Sequence, residues 1–327
     1  MEKKVNIRRI AELSDTSAST VSRVLSGKVS GVKISEATKE RIIAVCRQLD
    51  YQPSIHAARL FSRESGIVGF LPVREMFIED DNLARSIGGV YSRLHTGGYR
   101  CLPVVYDDAF VDSKEYLNLF KRQEIDALLV WGAGDTYSWL DELSATGKPF
   151  MLLANRYKDY PSVTCDQKHG VAVMTGHCRE RGARRFVYVS LTSGDSSDQR
   201  REGFIAATQG CEISIVEGGM HISDGIAAAK AAMSFKPDAI ICGNDRLAIG
   251  VQKALLELGV RIPEDIMLTG GDNIELGQFC QVPLTTFDQM SGLCAERGVD
   301  ILLGHLKSNT PLSSEVIAPE FHVRASA

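Results

Sequence analysis

Eight short apolar runs alternate with helix-like stretches through most of the chain, and this alternation constrains the fold more than any other feature. The runs are IVGFLP, YRCLPVVY, ALLVW, PFMLLA, SVTC, RFVYVS, AIICG and IMLTGG. Short apolar runs separated by helical patterns are typical of βαβ units, whose strands lie side by side in parallel sheets. Residues 65–327 are therefore predicted to form an α/β body.

The totals indicate a globular protein of more than one domain. A chain of 327 residues is too long for one small core, and a hydrophobic content of 44% with 24% charged residues argues against disorder. The first residues, MEKKVNIRRI, are charged, and the apolar runs are too short to cross a bilayer. We therefore expect a cytoplasmic protein without a signal peptide or membrane segment.

Motifs of enzymes and metal sites are missing from the sequence. Eight cysteines are scattered without a C-x-x-C pair, which indicates reduced thiols rather than disulfides or zinc ligands. GAGDTY at 132–137 lacks the third glycine of a dinucleotide loop, and no Walker, G-x-S-x-G or H-E-x-x-H motif occurs. No catalytic residue, metal ligand or cofactor is predicted.

Charge is divided unevenly along the chain. Residues 1–60 hold 11 Lys and Arg against 6 Asp and Glu, whereas the remainder holds 26 against 35. A basic N-terminal region on an acidic body is expected if only that region meets a polyanion.

Residues 1–50, here called the head, are predicted to form three short helices. Asn6, Ser17 and Ser35 are the expected N-caps, since each precedes apolar residues at helical spacing. About three residues separate the first two helices, as a helix-turn-helix requires. The head is therefore predicted to be a small all-α helix-turn-helix unit.

The second helix of the head has two different faces. Val21, Val24 and Leu25 share the side expected to be core. The opposite side carries Ala18, Ser19, Ser22 and Arg23. Short side chains allow close approach to a groove, hydroxyls can bind phosphate, and an Arg can bind guanine O6 and N7 together. The alternative is an ordinary solvated face.

The head resembles the N-terminal domain of the LacI/GalR family of bacterial transcription regulators. The resemblance lies in NIRRIAELSDTSASTVSRVLSG, ISEATKERIIAVCRQLDYQPS and the following AARL. It implies that Ala18, Ser19 and Arg23 read bases and that Ser17, Thr20 and Ser22 lie near phosphates. Two departures are Asp15 in the turn, where the family usually has Gly, and a longer loop at 27–35.

Residues 51–64 match the family's hinge, a short helix that forms on the operator. The resemblance implies that Leu60 is wedged into a base step of the minor groove and that Ala57 lets the helix pack closely there. His56 stands where Val is common. A plain linker helix is the alternative interpretation.

The segment at 241–289, ICGNDRLAIGVQKALLELGVRIPEDIMLTGGDNIELGQFCQVPLTTFDQ, resembles the effector domain of the same family. The resemblance implies two Rossmann-like subdomains of the periplasmic-binding-protein type within 65–327. The first is expected at about 65–160 and 291–320 and the second at about 161–290, with the third crossing between them near Phe287–Ser291. A small ligand would lie in the cleft at the strand ends.

Carried over position by position, the resemblance brings a polar set to that cleft. The residues expected to bind effector through polar groups are Asn155, Arg200, Asn244, Asp272 and Gln289. Trp131, Met220, Phe77 and Met76 are the candidates for the apolar wall, with Trp131 as plain core the alternative. Asp245 is expected to cap the helix that follows it.

The sequence therefore predicts a ligand-responsive transcription regulator that represses by binding a palindromic operator in double-stranded DNA as a homodimer. A sugar or sugar derivative is the expected effector, with a nucleoside or nucleobase as the alternative. A solute-binding protein of the transport type shares the body's fold, and a sugar-converting enzyme is a third possibility. The charged N-terminus and the attached head argue against the former, and the missing motifs against the latter.

Overall fold

The computed structural model describes residues 6–26, 34–51, 64–73, 80–132, 137–192 and 194–327. The chain divides into two units, Met1–Ser65 and Gly66–Ala327. The boundary falls one residue after the predicted one.

The described part of the N-terminal unit contains three helices: α1 (Ile7–Leu13), α2 (Ala18–Ser26) and α3 (Glu36–Gln48). All three predicted caps are present. Asn6 Oδ1 accepts from the Arg9 amide at 3.0 Å. Ser17 Oγ accepts from the Thr20 amide at 3.1 Å, and Ser35 Oγ from the Thr38 amide at 3.3 Å. Each cap satisfies an amide that its helix leaves without an intrahelical partner.

The head has a small core of buried side chains at Ile10, Ala11, Val21, Ile42 and Cys46. Asp15 turns the chain between α1 and α2 with φ at +47°, the left-handed region that Asp tolerates better than most residues. Ala18 is half-buried and packs against this core. The prediction that Ala18 lies on the outer face is therefore only partly met.

The first half of the body is a six-stranded sheet in the order β11-β5-β4-β3-β1-β2, parallel throughout. Its elements are β1 (Ile67–Pro72), α4 (Asp81–Gly97), β2 (Arg100–Pro103), α5 (Asp108–Asp112), α6 (Glu115–Lys121), β3 (Ala127–Trp131), α7 (Trp139–Ala145), β4 (Phe150–Leu153), β5 (Ser162–Cys165), α13 (Ser291–Ser308) and β11 (Glu315–Ile317). Side chains of α4 and α13 cover one face, and those of α5, α6 and α7 cover the other.

The second half is a four-stranded parallel sheet in the order β7-β6-β8-β9. Its elements are α8 (Gln167–Glu180), β6 (Arg185–Ser190), α9 (Asp195–Ala207), β7 (Glu212–Glu217), α10 (Ile222–Ser234), β8 (Ala239–Cys242), α11 (Asp245–Glu257), β9 (Met267–Thr269) and α12 (Glu275–Gln278). Strands β10 (Thr286–Asp288) and β12 (Glu320–His322) form an antiparallel pair beside it. Helices α10 and α11 pack on one face, and α8 and α9 on the other.

The chain passes between the two sheets three times, and two predicted boundaries were wrong. The first crossing follows Cys165 rather than residue 160, because β5 pairs with β4 and β11 in the first sheet. The segment between Asp288 and Ser291 is the second crossing, not the third. The third lies between Ile317 and Glu320, since β12 pairs with β10. Strands β7, β10, β11 and β12 were not among the predicted runs, because EISIVE of β7 is half polar and the other three strands are only three residues long.

Candidate functional site

A buried ion pair lies at the carboxyl ends of the second sheet's strands. Arg200, from α9, and Asp272, just after β9, are 2% and 9% exposed, and Arg200 Nη2 lies 2.8 Å from Asp272 Oδ1. Arg200 Nη1 also donates to the Gly243 carbonyl, and its guanidinium lies over the Phe287 ring, 5.0 Å from the centroid. The structure thus brings together two residues that the sequence assigned to one site.

Two glutamines close a ring of hydrogen bonds around this pair. Gln289 Nε2 donates to Asp272 Oδ1 at 2.9 Å, and Gln167 Nε2 donates to Gln289 Oε1 at 2.8 Å. Gln167 Oε1 accepts from Arg200 Nε at 2.8 Å. Because each member is held by its neighbours, the ring fixes the rotamers of the ion pair. Gln289 was predicted for this site, whereas Gln167, the first residue of α8, was missed.

The two buried carboxyl groups of the site have perturbed acidities. Burial raises the pKa of Asp272, and the Arg200 charge opposes that rise. Burial raises the pKa of Asp245 to about 7, while hydrogen bonds from the Thr286 hydroxyl at 2.6 Å and the Ile274 amide at 2.8 Å oppose the rise. Perturbed carboxyls of this kind mark a cleft as a functional candidate.

The assignment of the α11 cap to Asp245 was wrong. Asn244 is the N-cap, since its Oδ1 accepts from the Leu247 amide at 2.8 Å and its backbone is extended. Asp245 is the first residue of the helix, and its carboxylate turns inward to Thr286 and Ile274. Asn244 Nδ2 donates to the Met220 carbonyl at 3.3 Å, so this side chain is already occupied structurally at both ends.

Asn155, just beyond β4, offers a polar atom that the described residues leave unused. Its Oδ1 accepts from Ser196 Oγ at 2.8 Å, and the residue is 4% exposed. Within the described part of the chain, Asn155 Nδ2 is buried without a hydrogen-bond partner. A buried donor without a partner is costly, so a ligand oxygen at this position would stabilise it.

The predicted apolar wall is only partly described. Trp131 is buried in the core of the first sheet, and its Nε1 donates to Ser86 Oγ at 3.0 Å, which fits the plain-core alternative. Met220 is half-buried beside Asn244. Phe77 and Met76 lie outside the described residues. The effector role of all these side chains stays a prediction.

The outward face of α2 carries the other candidate site. Ser19 and Arg23 are exposed, and Ser17 Oγ lies 2.8 Å from both Ser19 Oγ and Thr20 Oγ1. Ser22 is half-buried on the same helix. Ala57 and Leu60 of the hinge, together with most of the long loop at 27–35, lie in the part of the chain that is not described.

Two family profiles match this chain, one in each unit. The profile for bacterial regulatory proteins of the lacI family matches residues 6–54, and that for a periplasmic binding protein-like domain matches residues 175–327. The N-terminal unit therefore carries a lacI-family DNA-binding domain and the body a periplasmic binding protein-like domain, as in lacI-family repressors. This combination makes the protein a ligand-responsive, DNA-binding transcription regulator.

Similar lacI-family proteins are known from several bacteria. The ribose operon repressor of Halalkalibacterium halodurans is 28% identical over 292 residues, which cover 86% of this chain and 85% of that protein. The transcriptional repressor PurR of Vibrio cholerae is 27% identical over 325 residues, covering 92% and 91%.

Solved structures of the family share the fold across the whole length. A lac repressor dimer bound to operator and the anti-inducer ONPF aligns with a TM-score of 0.84 at 22% identity, covering 99% of each chain. The regulator CelR in complex with cellobiose aligns with a TM-score of 0.73 at 20% identity, covering 99% of this chain and 100% of that one.

Metal clusters and membrane-spanning helices are both absent from the described residues. Among the residues that the structure describes, no group of three His, Cys, Asp or Glu side chains could hold a metal ion. Nor is any described helix both long and apolar enough to cross a membrane.

Proposed function

We propose that this protein is a repressor that binds a palindromic operator as a homodimer in the cytoplasm and changes its affinity for DNA when a small neutral, hydroxyl-bearing molecule occupies the cleft. It carries no catalytic activity in this proposal. The buried Arg200–Asp272 pair, braced by Gln167 and Gln289 at the strand ends, is the observation that carries the ligand-binding part.

The chemistry of the cleft supports a polyol such as a sugar. Asp272 offers acceptor oxygens and Asn155 an unused donor, which together suit the donor and acceptor sides of hydroxyl groups. Arg200 is already neutralised by Asp272, so it adds a fixed donor rather than a free positive charge. The similarity to a ribose operon repressor and to the regulator CelR in complex with cellobiose agrees with this class.

A nucleobase is the second candidate effector. The PurR relatives cover nine-tenths of the chain at 25–27% identity. Carboxylate and amide side chains can also pair with the edges of a purine ring.

The head supports recognition of a major groove. Val21 is buried on one side of α2, while Ser19 and Arg23 are exposed on the other. An exposed Arg at this place can bind guanine through two hydrogen bonds, and neighbouring hydroxyls can bind phosphate. The excess of Lys and Arg over Asp and Glu in residues 1–60 favours approach to the negatively charged DNA.

Exposed apolar side chains support a homodimer. Leu276, in α12, and Phe279, just after it, are 51% and 75% exposed. Large apolar groups clustered on a surface are typical of protein contacts. An isologous dimer would match the two-fold symmetry of a palindrome. Sedimentation of Phe279→Asp as a monomer, when the parent sediments as a dimer, would test this surface.

Selection from random DNA followed by gel shift tests the DNA-binding role. We expect a palindromic site to be enriched, and Arg23→Ala to weaken binding to it by about 10-fold to 100-fold, as the loss of a bidentate base contact predicts. Arg9→Ala is the matched control, because Arg9 is an exposed Arg of α1 that pairs with Glu12. Equal affinity for the selected site and for unrelated DNA would refute the proposal.

A thermal-shift screen tests the effector class. D-ribose, D-glucose, D-galactose, cellobiose, hypoxanthine and guanine are the probes. We expect one of the sugars to raise the melting temperature of the parent protein but not of Asp272→Asn, while the exposed-site control Asp265→Asn responds like the parent. If only hypoxanthine or guanine raises the melting temperature, the effector is a nucleobase and not a sugar. Sugar binding without DNA binding would favour a solute-binding protein, and turnover of a bound sugar would favour an enzyme.

A further inference from the structure

The turn that presents Asp272 has an unusual backbone. Asp272 has φ at +120° and Asn273 has φ at +51°, so two consecutive residues other than glycine adopt positive φ. Side chains rarely accept such conformations, and they persist where surrounding contacts determine them. The contacts that hold this turn therefore determine where the Asp272 carboxylate points.

Arg85 supplies the contacts on the carbonyl side of the turn. Its Nη1 donates to the Asp272 carbonyl at 2.9 Å and its Nη2 to the Asn273 carbonyl at 2.6 Å. Nη1 also lies 3.3 Å from Asp288 Oδ2, at the second crossing. The planar guanidinium thus spans two successive carbonyls, a fixed geometry that a Lys could not reproduce.

These contacts join opposite sides of the cleft. Arg85 lies on α4, which packs on the first sheet, whereas the turn follows β9 of the second sheet. One turn earlier on α4, Asn82 Oδ1 accepts from Ser291 Oγ at 3.0 Å. The Asn82 side chain also hydrogen-bonds to the Asp272 carboxyl, and this bond opposes the rise that burial causes in the pKa of Asp272. Asp272 is therefore held by Arg200 from its own subdomain and by α4 from the other.

We infer that Arg85 is a positioning residue that couples the Asp272 turn to α4. A change in the orientation of the effector-binding carboxylate of Asp272 would shift α4, and a shift of α4 would reorient that carboxylate. A ligand that moves the Asp272 turn must move Arg85 or break its two carbonyl contacts, and either change alters how the subdomains meet. This inference rests on the proposed function, because it assigns a regulatory role only if effector binds at Asp272.

Arg93 provides a matched control on the same helix. It lies about two turns after Arg85 and also makes two hydrogen bonds, to Asp300 of α13 at 2.9 and 2.5 Å. Arg93 and Asp300 both belong to the first subdomain, so loss of the Arg93 side chain perturbs α4 without removing a contact to the Asp272 turn. A role in anchoring α4 alone would make the two arginines equivalent.

Hydrogen exchange by mass spectrometry on the full chain tests the inference without DNA or effector. For Arg85→Met we expect at least 10-fold faster exchange in peptides covering 270–275 and the first turn of α4, and parental exchange there for Arg93→Met. Arg85→Lys should restore part of the protection, since an ammonium can still reach one carbonyl. Parental exchange in Arg85→Met, or equal effects of the two Met variants, would overturn the inference.

If Arg85→Met does not fold, Arg85→Lys carries the same comparison. Faster exchange confined to these two segments supports the inference, and exchange that rises evenly through the body overturns it. Gel shift on the same proteins separates this result from the proposed function. A chain that binds no DNA refutes the function and leaves the exchange result valid. Unchanged operator affinity in Arg85→Met removes the regulatory role.

Discussion

The Arg200–Asp272 pair allows a quantitative test of the candidate site. The two charges are 2.8 Å apart, with side chains 3% and 12% exposed. At an effective dielectric constant near 20, this distance corresponds to an attraction of about 6 kcal/mol, against which the loss of hydration must be set. Removing one member of such a pair typically costs about 3–5 kcal/mol, because the other charge stays buried without a partner.

We therefore expect Arg200→Met and Asp272→Asn each to lower the free energy of unfolding by about 3–5 kcal/mol. The double variant should lose less than the sum by about 2–3 kcal/mol, since the second change removes the charge that the first leaves behind. Arg200→Met also loses the bonds to Gln167 and the Gly243 carbonyl, but that loss is present in both arms of the cycle and cancels.

Urea unfolding followed by tryptophan fluorescence measures the cycle, because Trp131 and Trp139 both report on the body. Arg93→Met with Asp300→Asn is the control cycle. That pair is about one-third exposed on both sides, so water screens it and its coupling should be much smaller than that of the buried pair. Additive losses at Arg200 and Asp272, or equal coupling in both cycles, would refute the argument that burial makes this pair interdependent.

Two further predictions concern pH and the head. Because burial raises the pKa of Asp245 to about 7, the folded protein should keep a proton on Asp245 between about pH 4 and pH 7 that the unfolded chain releases, so this group stabilises the fold fully below about pH 4 and the stabilisation is lost as pH rises through 7. Asp245→Asn should therefore flatten that part of a plot of unfolding free energy against pH, and an unchanged slope would contradict the assignment. Ile42→Ala should destabilise the head by about 2–5 kcal/mol and abolish DNA binding while the body's melting temperature stays constant, whereas Ile43→Ala, 40% exposed on the same helix, should do neither.

Local features of the sequence were the easiest to predict. Asn6, Ser17 and Ser35 cap the helices expected of them, because a cap depends only on the residue and the next three amides. The left-handed turn at Asp15 is equally local. Ala18 was placed on the outer face by a uniform rotation per residue, whereas in the structure it is half-buried against the core of the head, a tertiary contact that helical periodicity alone does not reveal.

The candidate site could be predicted only where the family resemblance reached. Arg200, Asp272 and Gln289 were assigned in this way, and the structure brings them together. Gln167 and Arg85 were missed because nothing local distinguishes a Gln at a helix start or an Arg on a helix face from its solvated counterparts. Their partners lie 33 to 203 residues away in the chain, and only the folded backbone reveals those contacts.

The close approach of α4 and α13 restricts how these two helices can pack. Gly89 of α4 lies so near Gly292 of α13 that a Cβ there would be 2.5 Å from the Gly292 carbonyl oxygen. Backbones this close leave no room for a side chain between them, so α4 and α13 pack as one layer on the first sheet. An alanine at Gly89 would have to push the two helices apart, because its Cβ would meet a backbone oxygen, and it would do so without altering any group that faces the ligand.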